Sequence, residues 1–221
     1  MSITAITNFQ SGNLFIPNNP GLNVGGDANN FQKDLQLFID IYERELLINA
    51  LGIDLYEELE AELPNPTSQK WIDLLDGKTY SINGKSYRWD GLKGNNNQSL
   101  IAFYVYCQYL RNDASIYTTS GVKKVQSANA MNYDPTPKYI DNYNRFLESY
   151  QGDCTNHNTN NPAIIINASG MVGIDYYKQR NNNSFVSMYQ YMTDQNTLET
   201  DPQPFPDFQF KFYYRENSWG V

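Results

Sequence analysis

The chain holds one histidine, His157, three residues after Cys154 in a run rich in asparagine. A Cys and a His so spaced could supply part of a zinc site, but zinc takes about four ligands. No second Cys/His pair exists to complete the set. His157 is also the only imidazole available to activate a nucleophile, and a polar loop is a poor place to orient one. Both residues read as solvated loop side chains. Carboxylates are more plentiful: Glu43, Glu45, Asp54, Glu57, Glu58, Glu60 and Glu62 cluster around a single Arg44. A glycosidase needs two carboxylates in different environments across one cleft. Here they alternate with Leu55 and Leu59 on an amphipathic helix, which predicts a solvated acidic face. Gly21, Gly25 and Gly26 follow no strand-to-helix pattern and so form no phosphate cradle. Gly91 and Gly94 punctuate turns. The sequons Asn97-Gln98-Ser99 and Asn167-Ala168-Ser169 lack the secretory signal that would give them meaning. The residues therefore predict no catalytic group, no metal and no cofactor.

Bulk composition narrows the partners. Asp and Glu number 24 against 16 Lys and Arg, a net charge of -8 over 221 residues. No basic stripe neutralises phosphates, so tight DNA binding is not expected. Aromatic residues make up 14% and charged residues 18%, a balance too aromatic and too weakly charged for a disordered chain. Amide and hydroxyl side chains supply the polarity, and 18 tyrosines suit surfaces that meet other proteins. The start Met1-Ser2-Ile3-Thr4-Ala5 has neither the basic residues nor the apolar run of a signal peptide. No membrane span is expected. Cys107 lies in an apolar helical pattern and reads as a core residue, whereas Cys154 falls in a loop. Nothing supports a disulfide between them, and a reducing cytosol is the simpler setting.

The elements that must carry these residues are mainly helical. Residues 1–30 read as an extended arm with a short strand near 13–16. From Asp34 to Leu51, Leu35, Phe38, Ile39, Tyr42, Leu46 and Ala50 keep helical spacing. Leu37, Ile41 and Ile48 add a second stripe, which predicts contact on two sides. Gly52 ends this helix. Leu55, Leu59 and Leu63 mark the next, before Pro64 and Pro66. Thr67 is a candidate cap for a short helix, Ser68 to Leu75, that presents Trp71, Leu74 and Leu75. Asn83-Gly84 between two alternating runs predicts a β-hairpin over 78–89. Asn97 or Ser99 caps a helix with faces at Leu100, Phe103, Tyr104, Cys107 and Leu110 and at Ile101, Val105 and Tyr109. Pro137 to Tyr150 forms the next.

Residues 151–162 read as a linker and a domain edge, dividing a helical domain (31–151) from a C-terminal extension (152–221). Within the extension, Ala163 to Asn167 suggests a strand and Ser184 to Met192 a helix. Pro202, Pro204 and Pro206 form a stiff spacer. A terminal strand near 207–214 then places Phe208, Phe210, Phe212 and Tyr214 on one apolar face. Two readings of it stand level: a core strand, or an inter-subunit strand that adds to a neighbour's sheet edge.

Residues 43–151 carry an ordered set of short signatures. These are Leu46-Leu47, Ala50-Leu51-Gly52, Leu55-Tyr56, Trp71, Leu74, Gly77 with Tyr80, Trp89, Gly91-Leu92, Tyr104, Tyr109, Ser120-Gly121-Val122, Asn129-Ala130 and Tyr143-Asn144. In order and spacing this region resembles the head–tail connector (adaptor, or head-completion) proteins of tailed bacteriophages, especially Bacteroidetes phages and their crAss-like relatives. The resemblance implies a small helical bundle with an inserted hairpin. It also implies a homo-oligomeric ring, usually of twelve subunits, beneath the portal protein, docking other neck or tail proteins and extending the DNA channel. It implies no catalysis, no cofactor and no membrane, and a place in the virion neck after synthesis in the bacterial cytoplasm. Glu57, Glu58, Glu60 and Glu62 could then face the channel and keep DNA from sticking, beside the plainer reading of a solvated face. Other readings are a tail terminator, a carbohydrate-binding module or hydrolase, and a small regulatory binding protein. Tail terminators and such modules are typically richer in β-structure than this helical pattern.

Overall fold

The computed structural model describes residues 2–16, 28–82, 84–94, 99–113, 116–118, 121–123, 136–152, 165–167, 170–172 and 185–213. The protein is mainly helical, with a two-stranded hairpin inserted between helices, as the sequence predicts. Helix α1 (Ala28–Leu51) starts earlier than its apolar pattern. Gly52 then turns the chain with a φ of +83°, which only glycine adopts without strain, and α2 (Ile53–Glu62) follows. Helix α3 is Gln69–Asp76, and β1 (Lys78–Ile82) pairs antiparallel with β2 (Lys85–Trp89) in the register Tyr80 opposite Tyr87. Helix α4 (Leu100–Asp113) and α5 (Thr136–Tyr150) pack closely on each other, and α4 also packs on α1. Two small hairpins, β3 (Ile116–Thr118) with β4 (Gly121–Lys123) and β5 (Ile165–Asn167) with β6 (Gly170–Val172), precede α6 (Met188–Leu198).

Helix α4 is the centre of the bundle. Leu100 through Cys107 are all buried, so both of its apolar faces are covered. Ser99 caps its start by accepting from the Ala102 amide at 3.1 Å. Helix α3 is tied to the hairpin by backbone. The amides of Leu92 and Lys93 donate to the carbonyls of Leu74 and Leu75, both at 3.0 Å, and the Trp89 indole also donates to Leu74. These are carbonyls that the helix cannot satisfy itself. The approach is close enough that a Cβ on Gly91 would lie 2.5 Å from the Leu75 carbonyl oxygen, and one on Gly77 equally near that of Trp89.

Several expectations are corrected. The strand expected at 13–16 is instead a 3-10 turn, Gly12–Leu14, following another at Ile6–Phe9. Thr67 does not cap α3. Ser68 holds the cap position, and Glu62 receives the Thr67 and Ser68 amides at 2.6 and 3.2 Å. On α1, Leu37 and Ile41 are 59% and 53% exposed, so the second stripe is uncovered there while Ile48 is half-buried. The terminal strand is also missing over its described part. Phe208–Tyr213 run extended but pair with no strand; Tyr214 lies outside the described residues.

Both ends of the chain belong to one core. Phe9, Leu14 and Ile16 join it from the N-terminal side, and Val186, Met188, Tyr191, Met192 and Phe205 from the C-terminal side. Tyr191 stacks on Trp89 with ring centres 5.6 Å apart, and Phe205 meets the edge of Trp71 at 5.9 Å. The Tyr80 hydroxyl donates to Asp194 at 2.6 Å, and Lys78 bridges Asp73 at 2.9 Å and the side-chain amide oxygen of Gln195 at 3.0 Å. Hairpin, α3 and α6 thus share a largely buried polar network as well as rings. Phe205→Ala is expected to destabilise the whole molecule by about 3–5 kcal/mol in one urea transition. A change confined to a separate, earlier transition would show that the C-terminal part folds independently.

Candidate functional site

Three local arrangements could serve a function: a clamp on the N-terminal segment, the acidic face of α2, and the groove that holds residues 208–213. The clamp is Glu43. It sits on the buried stripe of α1 between Ile39 and Leu46, and its own exposure is 4%. Its two oxygens accept from the amides of Ile3 at 2.6 Å and Thr4 at 2.8 Å. Burial holds its carboxyl above the ordinary value of 4.5, and the two amides pull against that without overcoming it. The reading of Glu43 as one more solvated carboxylate is thereby corrected. Its place on the apolar stripe was the available signal, since a charge there needs hydrogen-bonding partners.

On α2, Leu55, Tyr56 and Leu59 are buried, and the opposite side carries Asp54, Glu57, Glu58 and Glu60, all exposed. The four acidic residues singled out from the sequence differ in their engagements. Glu58 pairs with Lys70 at 2.7 Å, Lys70 itself lying over the Trp71 ring. Glu60 accepts from the Tyr56 hydroxyl at 3.0 Å. Glu62 holds the turn into α3, and the Thr67 amide first, then that of Ser68, keeps its carboxyl below the ordinary value. Glu57 has no ion-pair partner among the described residues. The four do not converge on one point, so they offer a field rather than a binding pocket.

The groove is formed where α1 and α5 end and α6 begins. The amides of Gln209 and Lys211 donate to the carbonyls of Leu51 at 3.4 Å and Asn49 at 2.8 Å, in the last turn of α1. Gln151, only 4% exposed, pairs its side-chain amide with the Tyr213 backbone: its carbonyl accepts from the Tyr213 amide at 2.8 Å, and its nitrogen donates to the Tyr213 carbonyl at 2.7 Å. Asn196 grips Phe205 in the same two-way fashion, at 2.9 and 2.6 Å. Phe208, Phe210 and Phe212, three of the four residues expected on one face, all contact the Tyr189 ring, whereas Tyr213, expected among the alternate positions, packs against Tyr104, Phe146 and Tyr150. Phe210 also stacks on Tyr150 at 4.3 Å. The sequence gives the face of this segment but not its partners within the chain, because those come from residues far away.

Cys107 is buried, with its sulfur 3.9 Å from the Tyr139 carbonyl oxygen. Cys154 and His157 lie outside the described residues. Among the described residues no group of three or more His, Cys, Asp or Glu is placed to hold a metal, and no helix is long and apolar enough to cross a membrane. No family model, curated protein or solved structure matches the chain.

Glu43 and Glu62 should respond to acid with opposite signs. A carboxyl raised in the folded state contributes stability that is full below 4.5 and lost as pH rises through the folded value. A lowered one contributes above 4.5 and loses that as pH falls through its folded value. Glu43→Gln turns an NH2 toward one of the two amides and should cost about 1–3 kcal/mol at neutral pH. In urea titrations the gap between wild type and E43Q should widen toward pH 4.5, and the gap to Glu62→Gln should narrow below it. A narrowing gap for E43Q would mean that the amide bonds outweigh burial at that carboxyl.

Proposed function

We propose that this chain is a structural virion protein, a head–tail connector that assembles as a ring, usually of twelve copies, between portal and tail. In this reading the ring extends the DNA channel, docks neck or tail components, occupies the virion neck and performs no catalysis. The observation that carries it is the architecture: a small helical bundle with an inserted hairpin over 78–89, the arrangement that the resemblance of residues 43–151 implies. The helical majority speaks against the more β-rich alternatives, a tail terminator or a carbohydrate-binding module. Two surface features suit the role. The outward carboxylates of α2 would repel passing DNA, and the exposed pair Leu37 and Ile41, one turn apart on α1, offers apolar area to a neighbour.

Size-exclusion chromatography with mass photometry, with and without purified portal, tests assembly. A ring, or a ring formed on the portal, is the expected outcome, and a lone monomer that ignores portal and binds glycans would overturn the reading. Glu57→Lys with Glu58→Lys tests the channel. Both residues are exposed and the Glu58–Lys70 pair is worth at most about 1 kcal/mol, so the fold should survive. Assembled particles carrying both changes should eject or retain DNA poorly, whereas normal infectivity would remove these carboxylates from the channel wall.

A further inference from the structure

The groove that holds residues 208–213 is made entirely of groups that any copy of the chain possesses. We propose that these residues form an exchangeable arm, and that in an assembly the groove accepts this segment from a second copy of the chain. The inference stands on local geometry and does not depend on the neck reading.

The arm's bonds come mainly from its own backbone, with the Tyr213 hydroxyl also accepting from the Asn49 side chain at 3.1 Å. The amides of Gln209, Lys211 and Tyr213 point to one side and meet the Leu51 carbonyl, the Asn49 carbonyl and the Gln151 side chain. Phe208, Phe210 and Phe212 occupy the alternate positions against Tyr189. An arm from another copy reproduces every one of these contacts, so exchange costs no interaction and adds a link between chains.

The connection to the rest of the chain is short and bent. Phe205 is fully buried and gripped by Asn196, so it anchors the segment to its own bundle. Only Pro206 and Asp207 separate that anchor from the arm, and both are exposed. Asp207 takes a φ of +50°, the left-handed region that non-glycine residues rarely enter. Closing the arm onto its own groove requires that bend, and an arm running straight past Asp207 relieves it. A short hinge under strain favours exchange. Passed from each copy to the next in one direction, such arms would join subunits head to tail, the connection that closes into rings.

A photo-crosslinking residue in place of Gln209 reports the contact, because Gln209 is exposed and its side chain lies 3.5 Å from where a Cβ on Gly52 would sit. Full-length chains carrying benzoylphenylalanine at Gln209 are mixed with otherwise unaltered chains lengthened by a tag, unfolded and refolded together, then irradiated. Exchange predicts a crosslinked heterodimer on a denaturing gel, several-fold above the yield when benzoylphenylalanine instead replaces Ser81 on the exposed hairpin surface. Asp207→Pro, which forbids the positive φ, should raise that yield and shift the chain to higher mass by light scattering. Asp207→Gly, which tolerates the bend, should lower the yield. The proposal is overturned if the probe at Gln209 crosslinks only within its own chain and the mixture stays at the Ser81 level. It is equally overturned if the probe at Gln209 forms no crosslink at all, or if neither Asp207 variant changes the yield.

Discussion

The last carbonyls of a helix have no donors inside it, and meeting that need at α1 and α3 closes this fold. At α1 the Gly52 amide takes the Ile48 carbonyl, and residues more than 150 positions later, Gln209 and Lys211, take those of Leu51 and Asn49. At α3 the segment just past the hairpin does the same for Leu74 and Leu75. The converse problem belongs to the extended segment itself, whose peptide groups have no sheet to join. Gln151 and Asn196 solve it by presenting side-chain amides that pair in both directions, as a neighbouring strand would. Burial of the rings then follows from where these bonds hold the chain.

Because these bonds link distant positions, the helical bundle and the C-terminal segment are one mechanical unit. Phe205 is wedged among Trp71 and Tyr191, Tyr191 lies on Trp89, and Trp89 donates to the α3 backbone. The polar contacts at this junction, Tyr80 with Asp194 and Lys78 with Asp73 and Gln195, add direction to an otherwise non-directional core. For a protein proposed to sit under load between a capsid and a tail, such cross-bracing matters more than a cleft.

Much of this was legible in the sequence where the cause is local. The spacing of Leu35, Ile39, Leu46 and Ala50 marks the buried side of α1, the hairpin follows from Asn83-Gly84, and Leu100 to Cys107 announces a helix covered on both faces. What could not be read depends on long-range partners. Gln151 looks like the first residue of a linker, and Asn196 falls beyond the helix expected over Ser184 to Met192, which instead runs Met188–Leu198; only the arrival of Tyr213 and Phe205 explains them. The acidic face of α2 shows the same limit. Its exposure follows from Leu55 and Leu59, but the use of Glu62 as a turn anchor depends on how the chain bends after Pro64.

The aromatic content takes on a different meaning in this light. From composition, the tyrosines suit surfaces that meet other proteins, yet Tyr104, Tyr106, Tyr143, Tyr150 and Tyr191 are buried. Burial pushes the phenols of Tyr104, Tyr150 and Tyr191 up, so they remain neutral packing groups across the physiological range. They form a seam in which Phe146 touches Tyr104, Tyr143, Tyr150 and Tyr213. Among the described residues the large apolar side chains left in solvent are mainly aliphatic: Leu37, Ile41, Ile53 and Leu198, with Phe185 the exception. The buried tyrosines therefore help hold the two ends of the chain together. In the proposed assembly, contacts between copies would fall instead to the bare face of α1 and to an arm whose peptide groups already bond as a partner's would.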